Sequence, residues 1–183
     1  MDHPRPWMRY VAADDIDDDA LDFDGLEVDG VSGEKLGEVD GFVIDVNSGR
    51  PYYIVVDAGG WFRSKEFLLP IGHARLDRER EVLVADLARD RVDRFPGFDK
   101  DEFHRLSEED LDRFGATTAA ACCDSEVLVA GQPWYERSHY QQPEWWQNGY
   151  YRPERMVAQG SGPDTSQRDV DDRRRDADKG SRS

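Results

Sequence analysis

The fold is decided by the stretch 33–57, which reads GEKLGEVDGFVIDVNSGRPYYIVVD. Two runs rich in β-branched residues, 36–46 and 52–56, flank the sequence NSGR at 47–50. Asn and Gly tolerate the positive φ angles that hairpin loops require, so NSGR predicts a turn between two strands. The run 52–56 is almost continuously apolar, which predicts a strand that is covered on both faces.

Short strands separated by turn sequences continue on both sides of this hairpin. The upstream segment 26–28 alternates apolar and polar residues, and three further apolar runs follow downstream at 65–70, 73–76 and 81–85. Short strands at close spacing, without a long helical period between them, are typical of an antiparallel sheet that curls. Closing such a small sheet removes its exposed edges. We therefore predict a mainly β fold, a small antiparallel barrel of about six strands over 25–95, with short helices after it and disordered termini.

The order of several motifs resembles the PRC-barrel domain family. The opening resembles the pattern G-x-K/R-I/L-G-x-V followed by a strand with an acidic end, and the next strand resembles G-x-x-x-Y-x-V-V-D. A glycine-rich turn and a V/L-L-x-P strand then follow in the family's order. The matching segments are 33–39, 41–45, 49–57, 59–62 and 67–71. None of these motifs is specific alone, but their order and spacing together are.

The resemblance implies a domain for protein–protein docking, without shared catalysis. PRC-barrels occur in the cytoplasmic domain of the H subunit of purple bacterial reaction centres and in the ribosome maturation factor that docks on a small-subunit ribosomal protein. They also occur in stand-alone bacterial and archaeal proteins, often loosely associated with stress or envelope functions. The H subunit's N-terminal membrane helix has no counterpart here, and the acidic segment before the barrel is too short for the ribosome factor's second barrel. We therefore expect the stand-alone bacterial type.

Composition divides the rest of the chain. Polar, charged ends predict disorder, and a short helix is expected over 87–95 before Pro96-Gly97. Ser107 and Asp110 form a capping box that predicts a short helix at 111–114. The predicted divisions are an acidic, largely disordered arm at 1–24, the barrel at 25–95, an acidic linker with a short helix at 96–114, an aromatic-rich extended segment at 115–158 with one candidate strand at 126–129, and a disordered tail at 159–183.

Seven Trp and Tyr residues lie within 134–151 and are the most unusual feature of the chain. Large aromatic rings dominate interface hot spots, so this segment either binds a partner or folds back over the mouth or edge of the barrel. The sequence leaves both alternatives open, and it disfavours base stacking because few arginines accompany the rings. The candidate interaction residues, which include two rings of the glycine-rich turn, are Trp61, Phe62, Trp134, Tyr135, Tyr140, Trp145, Trp146, Tyr150 and Tyr151.

The charge of the chain argues against nucleic acid and anionic lipid as partners. The net charge is −16, and the first 31 residues carry half of this excess. Such a field repels nucleic acid and anionic lipid surfaces, and the basic cluster Arg173-Arg174-Arg175 is flanked by aspartates. The acidic run at 14–19 does not have the spacing of an EF-hand loop. We expect no nucleic acid, and we leave a homo-oligomer open.

The sequence predicts no catalytic residue, no cofactor and no metal site. The four histidines, His3, His73, His104 and His139, have no ligand spacing, and the adjacent Cys122 and Cys123 form no CxxC pair. No serine lies in a G-x-S-x-G motif. His73 is read as a partly exposed strand residue, with a proton carrier as the alternative.

The cellular location follows from three expected absences. There is no disulfide framework, no apolar leader at the N-terminus and no long apolar run, so we expect a cytoplasmic protein without membrane insertion. Peripheral association with a membrane complex stays open.

The predicted function is a non-enzymatic protein–protein interaction or regulatory module based on a PRC-barrel, with a partner of unknown identity and a link to stress. The alternative is an accessory subunit of a photosynthetic reaction centre or of another membrane electron-transfer complex. In that role it would assist assembly or deliver protons through His73 and surface carboxylates.

Overall fold

The computed structural model describes residues 6–16, 21–59, 65–122, 132–147 and 150–151. All of these lie in the first of two units, 1–151, and the second unit, 152–183, lies outside the described residues. The candidate strand at 126–129 and the predicted tail at 159–183 also lie outside them.

Seven strands make up the sheet, and six of them begin and end within one residue of the runs predicted from sequence. The strands are β1 (Met8–Ala12), β2 (Glu27–Asp29), β3 (Lys35–Asp45), β4 (Pro51–Asp57), β5 (Glu66–Pro70), β6 (Ala74–Asp77) and β7 (Val82–Ala85). The turn at 47–50 joins β3 to β4, and its Gly49 has the positive φ of 72° that a hairpin turn favours. The predicted mainly β fold is confirmed.

The strand order is β5-β4-β3-β2-β7-β6, with β1 also pairing with β3. All neighbouring strands are antiparallel except β2 and β7, which are parallel. Among the described residues no pairing joins β5 to β6, so the sheet is not closed and the predicted closure is wrong. Later segments bind these edges instead: the Phe98 N–H donates to the Glu66 carbonyl at 2.8 Å, and Trp145 Nε1 donates to the Ala74 carbonyl at 3.0 Å. Edges that are covered in this way need no closure.

The strand β1 corrects the prediction of a largely disordered acidic arm, which does not hold for Met8–Ala12. It pairs with β3 from Met8↔Asp45 to Ala12↔Gly41. The short β2 pairs only with the first part of β3, so the far half of that long strand has room for another partner. Gly41 permits the close approach, because a Cβ there would lie 2.5 Å from the Val11 carbonyl oxygen.

Three helices follow the sheet: α1 (Arg89–Val92), α2 (Lys100–Phe103) and α3 (Glu108–Cys122). The Asp110 N–H donates to Ser107 Oγ at 3.2 Å, and the Ser107 N–H donates to Asp110 Oδ2 at 3.4 Å, as the predicted capping box requires. α3 is longer than the predicted 111–114, so 115–122 is helical rather than extended. The run ATTAAAC at 116–122 explains this, because alanine has the highest helix propensity.

The core consists of two clusters, one on each face of the central hairpin. Ile54 and Val56 belong to the first cluster, whereas Tyr53 and Val55, which alternate with them on β4, belong to the second. β4 is therefore covered on both faces, as its continuous apolar run predicts. Short 3₁₀ turns lie at Ala13–Asp15, Ile71–His73, Trp134–Glu136 and Ser138–Tyr140.

Candidate interaction surface

The aromatic segment, here named the aromatic strap (132–147 and 150–151), lies against the sheet. Five of its seven rings are each less than a tenth exposed. Tyr135 and Trp145 are partly buried against the two core clusters. The five buried rings are Trp134, Tyr140, Trp146, Tyr150 and Tyr151.

The first half of the strap packs on the cluster that contains Tyr53. The Trp134 ring stacks on the Tyr53 ring with their centroids 6.2 Å apart, and the Tyr53 and Tyr140 hydroxyls are hydrogen-bonded at 3.0 Å. Burial, followed by the neighbouring Tyr140, raises the pKa of Tyr53 well above its ordinary value. The Tyr53 hydroxyl therefore stays neutral and bonded to the Tyr140 hydroxyl inside the protein.

The second half of the strap packs on the opposite cluster. Trp146 meets Phe42 edge to face at 5.0 Å, and Tyr150 lies 5.9 Å from Phe23 between ring centroids. The strap thus contributes large rings to both clusters of the core. Large buried rings of this kind dominate packing energetics.

The middle of the strap lies against the 3₁₀ turn that contains Gly72. A Cβ at Gly72 would lie 2.6 Å from the Ser138 carbonyl oxygen and 2.7 Å from that of His139, so only glycine fits at this contact. Beside it, His73 Nε2 and His139 Nδ1 form a hydrogen bond, and their rings stack with centroids 4.8 Å apart. His73 Nδ1 lies 3.9 Å from Asp86 Oδ2. The residue spacing of the histidines gave no sign of this pair, because the two rings are far apart in sequence.

The positions of the rings bear on the two alternatives left open by the sequence. The five buried strap rings contact the protein's own core, which favours a cover for the sheet over an exposed contact surface. The assignment of these rings as partner contacts stays a prediction, and the five buried rings offer little area to a partner in this arrangement. Trp61 and Phe62 lie outside the described residues.

A different surface carries an exposed aromatic ring. Trp7 is 53% exposed and stands at a cavity of about 370 Å³ between β1 and the helices α2 and α3. We name this cavity the edge groove; it is lined by Pro6, Trp7, Met8, Arg9, Phe103, His104, Leu106, Glu108, Leu111, Asp112 and Trp134. Sequence reasoning missed it, although the run WMRYV at 7–11 stands out as apolar within an acidic arm.

Hydrogen bonds fix the walls of the edge groove. The Tyr10 N–H donates to His104 Nε2 at 3.2 Å, which ties β1 to the end of α2. Trp134 Nε1 donates to Asp112 Oδ1 at 2.9 Å, which ties the strap to α3. The Arg9 guanidinium lies over the Trp7 ring at 4.9 Å. The walls of the groove are therefore formed by β1, α2, α3 and the strap, and Trp7 and Arg9 form its outer rim.

The pKa of His104 is lowered, mainly by burial and then by Arg9, with Asp101 opposing. A neutral His104 is required here because its Nε2 accepts a hydrogen bond. We expect stability from this contact to be complete above the unfolded-state pKa of about 6.5 and to be lost as the pH falls through the lower folded-state pKa. Amide exchange of Tyr10, corrected for its intrinsic rate, should become faster at acidic pH.

The matched control for this prediction is His104→Gln, whose amide oxygen can accept the same bond and does not titrate in this range. In that variant the protection of the Tyr10 amide from exchange should be the same at neutral and at acidic pH. Equal protection of Tyr10 at neutral and acidic pH in the unaltered protein would contradict the account of His104.

Two searches of the described residues concern other kinds of site. No group of three or more His, Cys, Asp or Glu within them could hold a metal ion. In the same part of the chain, no helix combines the length and apolar character needed to cross a membrane.

Comparison with known proteins agrees with this architecture. Residues 18–92 match the family model of the PRC-barrel domain. An uncharacterized protein of Deinococcus radiodurans is 32% identical over 132 residues, which are 72% of this chain and 40% of that relative. The match therefore spans about 40% of the length of this curated relative.

The region that aligns with the relative extends beyond the PRC-barrel domain. An alignment of 132 residues within a chain of 183 must include 52–132, so it continues beyond residue 92, where the family match ends, and takes in all three helices. β2 to β7 and the motifs between them lie within the matched domain or at its edges. Residues 18–92 of this chain are therefore identified as a PRC-barrel domain.

Proposed function

We propose that this protein is a non-enzymatic interaction module that holds a partner protein at the edge groove. PRC-barrel domains commonly serve as protein-interaction modules. The observation that carries the proposal is the position of Trp7. Its ring is half exposed beside a cavity with both apolar and charged walls, while five of the strap rings are buried in the core. A tryptophan at the rim of a preformed cavity is the kind of residue that carries binding energy in interfaces.

The walls of the groove support binding rather than chemistry. Phe103 and Trp134 are buried, and Leu106 and Leu111 are partly buried against the same cluster. A cavity of about 370 Å³ lies within the range of small binding pockets. His104 lines the cavity, but its Nε2 accepts from the Tyr10 N–H, so that nitrogen is already occupied. We also propose that the protein acts in the cytoplasm and that its partner is another protein.

Replacing Trp7 by alanine is expected to weaken partner binding by at least about tenfold, because truncation of a hot-spot ring costs roughly 2 kcal/mol or more. The partner is first captured from the native cell by cross-linking, and its affinity is then measured with purified proteins. The thermal unfolding of Trp7→Ala should stay close to that of the unaltered protein, since the ring is largely exposed.

The matched control is Val31→Ala, which shortens the other strongly exposed large apolar side chain among the described residues, at 57%. Val31 does not line the edge groove. Partner affinity should be retained in this variant. An affinity that survives Trp7→Ala would exclude the groove as the binding site.

A second proposal is the accessory subunit of a photosynthetic reaction centre or another membrane electron-transfer complex. The observation that favours it is the chain Asp86–His73–His139, which runs from an exposed carboxylate to a buried imidazole. Protonatable groups in contact can relay protons. In this role the protein would associate peripherally with the complex, and His73→Ala would slow proton uptake by the purified complex. Unchanged uptake would remove this proposal. The link to stress is a proposal of the same kind, to be tested by the response of cells that lack the protein.

A further inference from the structure

We propose that the edge groove takes a short apolar–basic segment of a partner protein, in which one large aliphatic or aromatic side chain enters the cavity and a lysine or arginine follows it. The inference rests on the proposed docking function and names the chemistry of the partner. Its steps are the shape of the cavity, the charge around it and the state of the neighbouring strand edge.

The shape of the cavity selects a large apolar side chain. Met8 and Phe103 are buried beneath it, and Leu111 lies partly buried at its side. Trp7 and Trp134 bring two indole rings to the same cavity. An aliphatic or aromatic side chain placed among these groups removes apolar surface from water, which is the main source of binding energy.

The charge beside the cavity selects a basic residue. The first turn of α3 carries Glu108, Glu109 and Asp110, and Glu108 lines the cavity itself. Arg113 is the cation that pairs with the carboxylates of Glu109 and Asp110, from the following turn. Residues 99–114 as a whole contain seven acidic and three basic residues. Among the residues that line the cavity, Arg9 on the β1 side is basic, whereas Glu108 and Asp112 on the α3 side are acidic. A lysine or arginine is therefore favoured beside α3, away from Arg9, and an acidic residue there is repelled.

The same charge disfavours a second copy of this chain as the occupant. Each copy carries a net charge of −16, so two copies repel each other over distances of about the Debye length. A partner with a basic segment has the complementary sign and associates faster.

The outer edge of β1 determines whether the partner segment is recognised by strand addition or by its side chains. The N–H of Tyr10 donates to His104 Nε2, and the carbonyl of Met8 accepts from Arg9 Nη1 at 3.2 Å. Backbone groups that side chains of this protein already bind do not offer a template for an added strand. The partner segment is therefore recognised by its side chains rather than by strand addition.

The experiment uses random octapeptides displayed on phage and selected on the full-length protein. Enriched peptides should share one large apolar residue followed within four positions by lysine or arginine. Synthetic copies should bind at least about tenfold more weakly to Trp7→Ala and to Glu108→Lys, and more weakly as salt rises. Val31→Ala and Glu79→Lys, two exposed positions outside the groove, are the matched controls and should leave binding unchanged.

The outcomes separate the partner chemistry from the docking function. Enriched peptides that need Trp7 but carry no basic residue would overturn the proposed chemistry and leave the groove as the docking site. Peptides that bind Trp7→Ala equally well would overturn both. A selection that yields no shared motif would overturn the proposed chemistry. Loss of binding when alternate backbone amides of the peptide are N-methylated would also overturn it, because that loss indicates strand addition.

Discussion

Deleting residues 131–183 is expected to lower the free energy of unfolding by several kcal/mol. The deletion removes five rings that are each less than a tenth exposed, and each large buried side chain contributes roughly 1.5–3 kcal/mol. It also uncovers the Phe42 and Tyr53 rings, which the strap covers on opposite faces of the sheet. A domain of ordinary stability, about 5–15 kcal/mol, would lose much of its margin. Urea unfolding measures the change when it is monitored by circular dichroism of the backbone, because this signal does not depend on the tryptophans that the deletion removes.

The matched control removes 152–183 only, so that the difference between the two truncations isolates the strap. The larger deletion should also expose apolar surface and bind a hydrophobic dye. An unfolding midpoint that is the same for both truncated proteins, each still monodisperse, would show that the strap does not stabilise the sheet.

The substitution Phe42→Ala is expected to cost about 3–5 kcal/mol, the usual range for a fully buried phenylalanine. Phe42 is 0% exposed on β3 and lies between two rings from other parts of the chain. The Phe23 ring meets it at 5.5 Å and the Trp146 ring at 5.0 Å between centroids. Alanine at position 42 would leave a cavity between the Phe23 ring, the sheet and the Trp146 ring of the strap.

A double-mutant comparison identifies which contact supplies this energy. In the protein that lacks 131–183, Trp146 is gone, so Phe42→Ala should cost less than it does in the full chain. Val31→Ala, an exposed position, should change stability by no more than about 0.5 kcal/mol in either background. An equal cost of Phe42→Ala with and without the strap would mean that Trp146 does not stabilise Phe42.

The strands from β2 to β7 were predictable because their signals are local. NSGR at 47–50 sets the hairpin turn, and the apolar run that follows continues directly into β4. The capping box of Ser107 and Asp110 marked the start of α3 for the same reason, since both partners lie within one turn. Alternation and turn residues need no knowledge of distant contacts.

The parts that were missed depend on distant contacts. β1 was obscured by the acidic residues that follow it, and it becomes a strand only because β3 is long enough to pair with it. The His73–His139 contact joins residues 66 positions apart, and the Tyr10–His104 contact joins residues 94 positions apart. No spacing rule for metal or catalytic motifs describes such separations.

The direction in which the aromatic rings face also required the tertiary structure. Hot-spot residues and core residues share the same chemistry, so the composition of 134–151 fits both roles. The contacts of Tyr140 with Tyr53 and of Trp146 with Phe42 favour the core role for the strap. The exposed Trp7, a single ring in an acidic segment, carried no compositional signal of comparable strength.

Photo-cross-linking in the native cell tests the central claim most directly, that partners bind at the edge groove. A photoreactive phenylalanine analogue is placed at position 7 in one variant and at position 31 in another, both exposed sites in the folded protein. We expect a discrete protein adduct from position 7 that is lost when Leu111→Lys is added, and no such adduct from position 31. A discrete adduct from position 31 with none from position 7 would contradict the account.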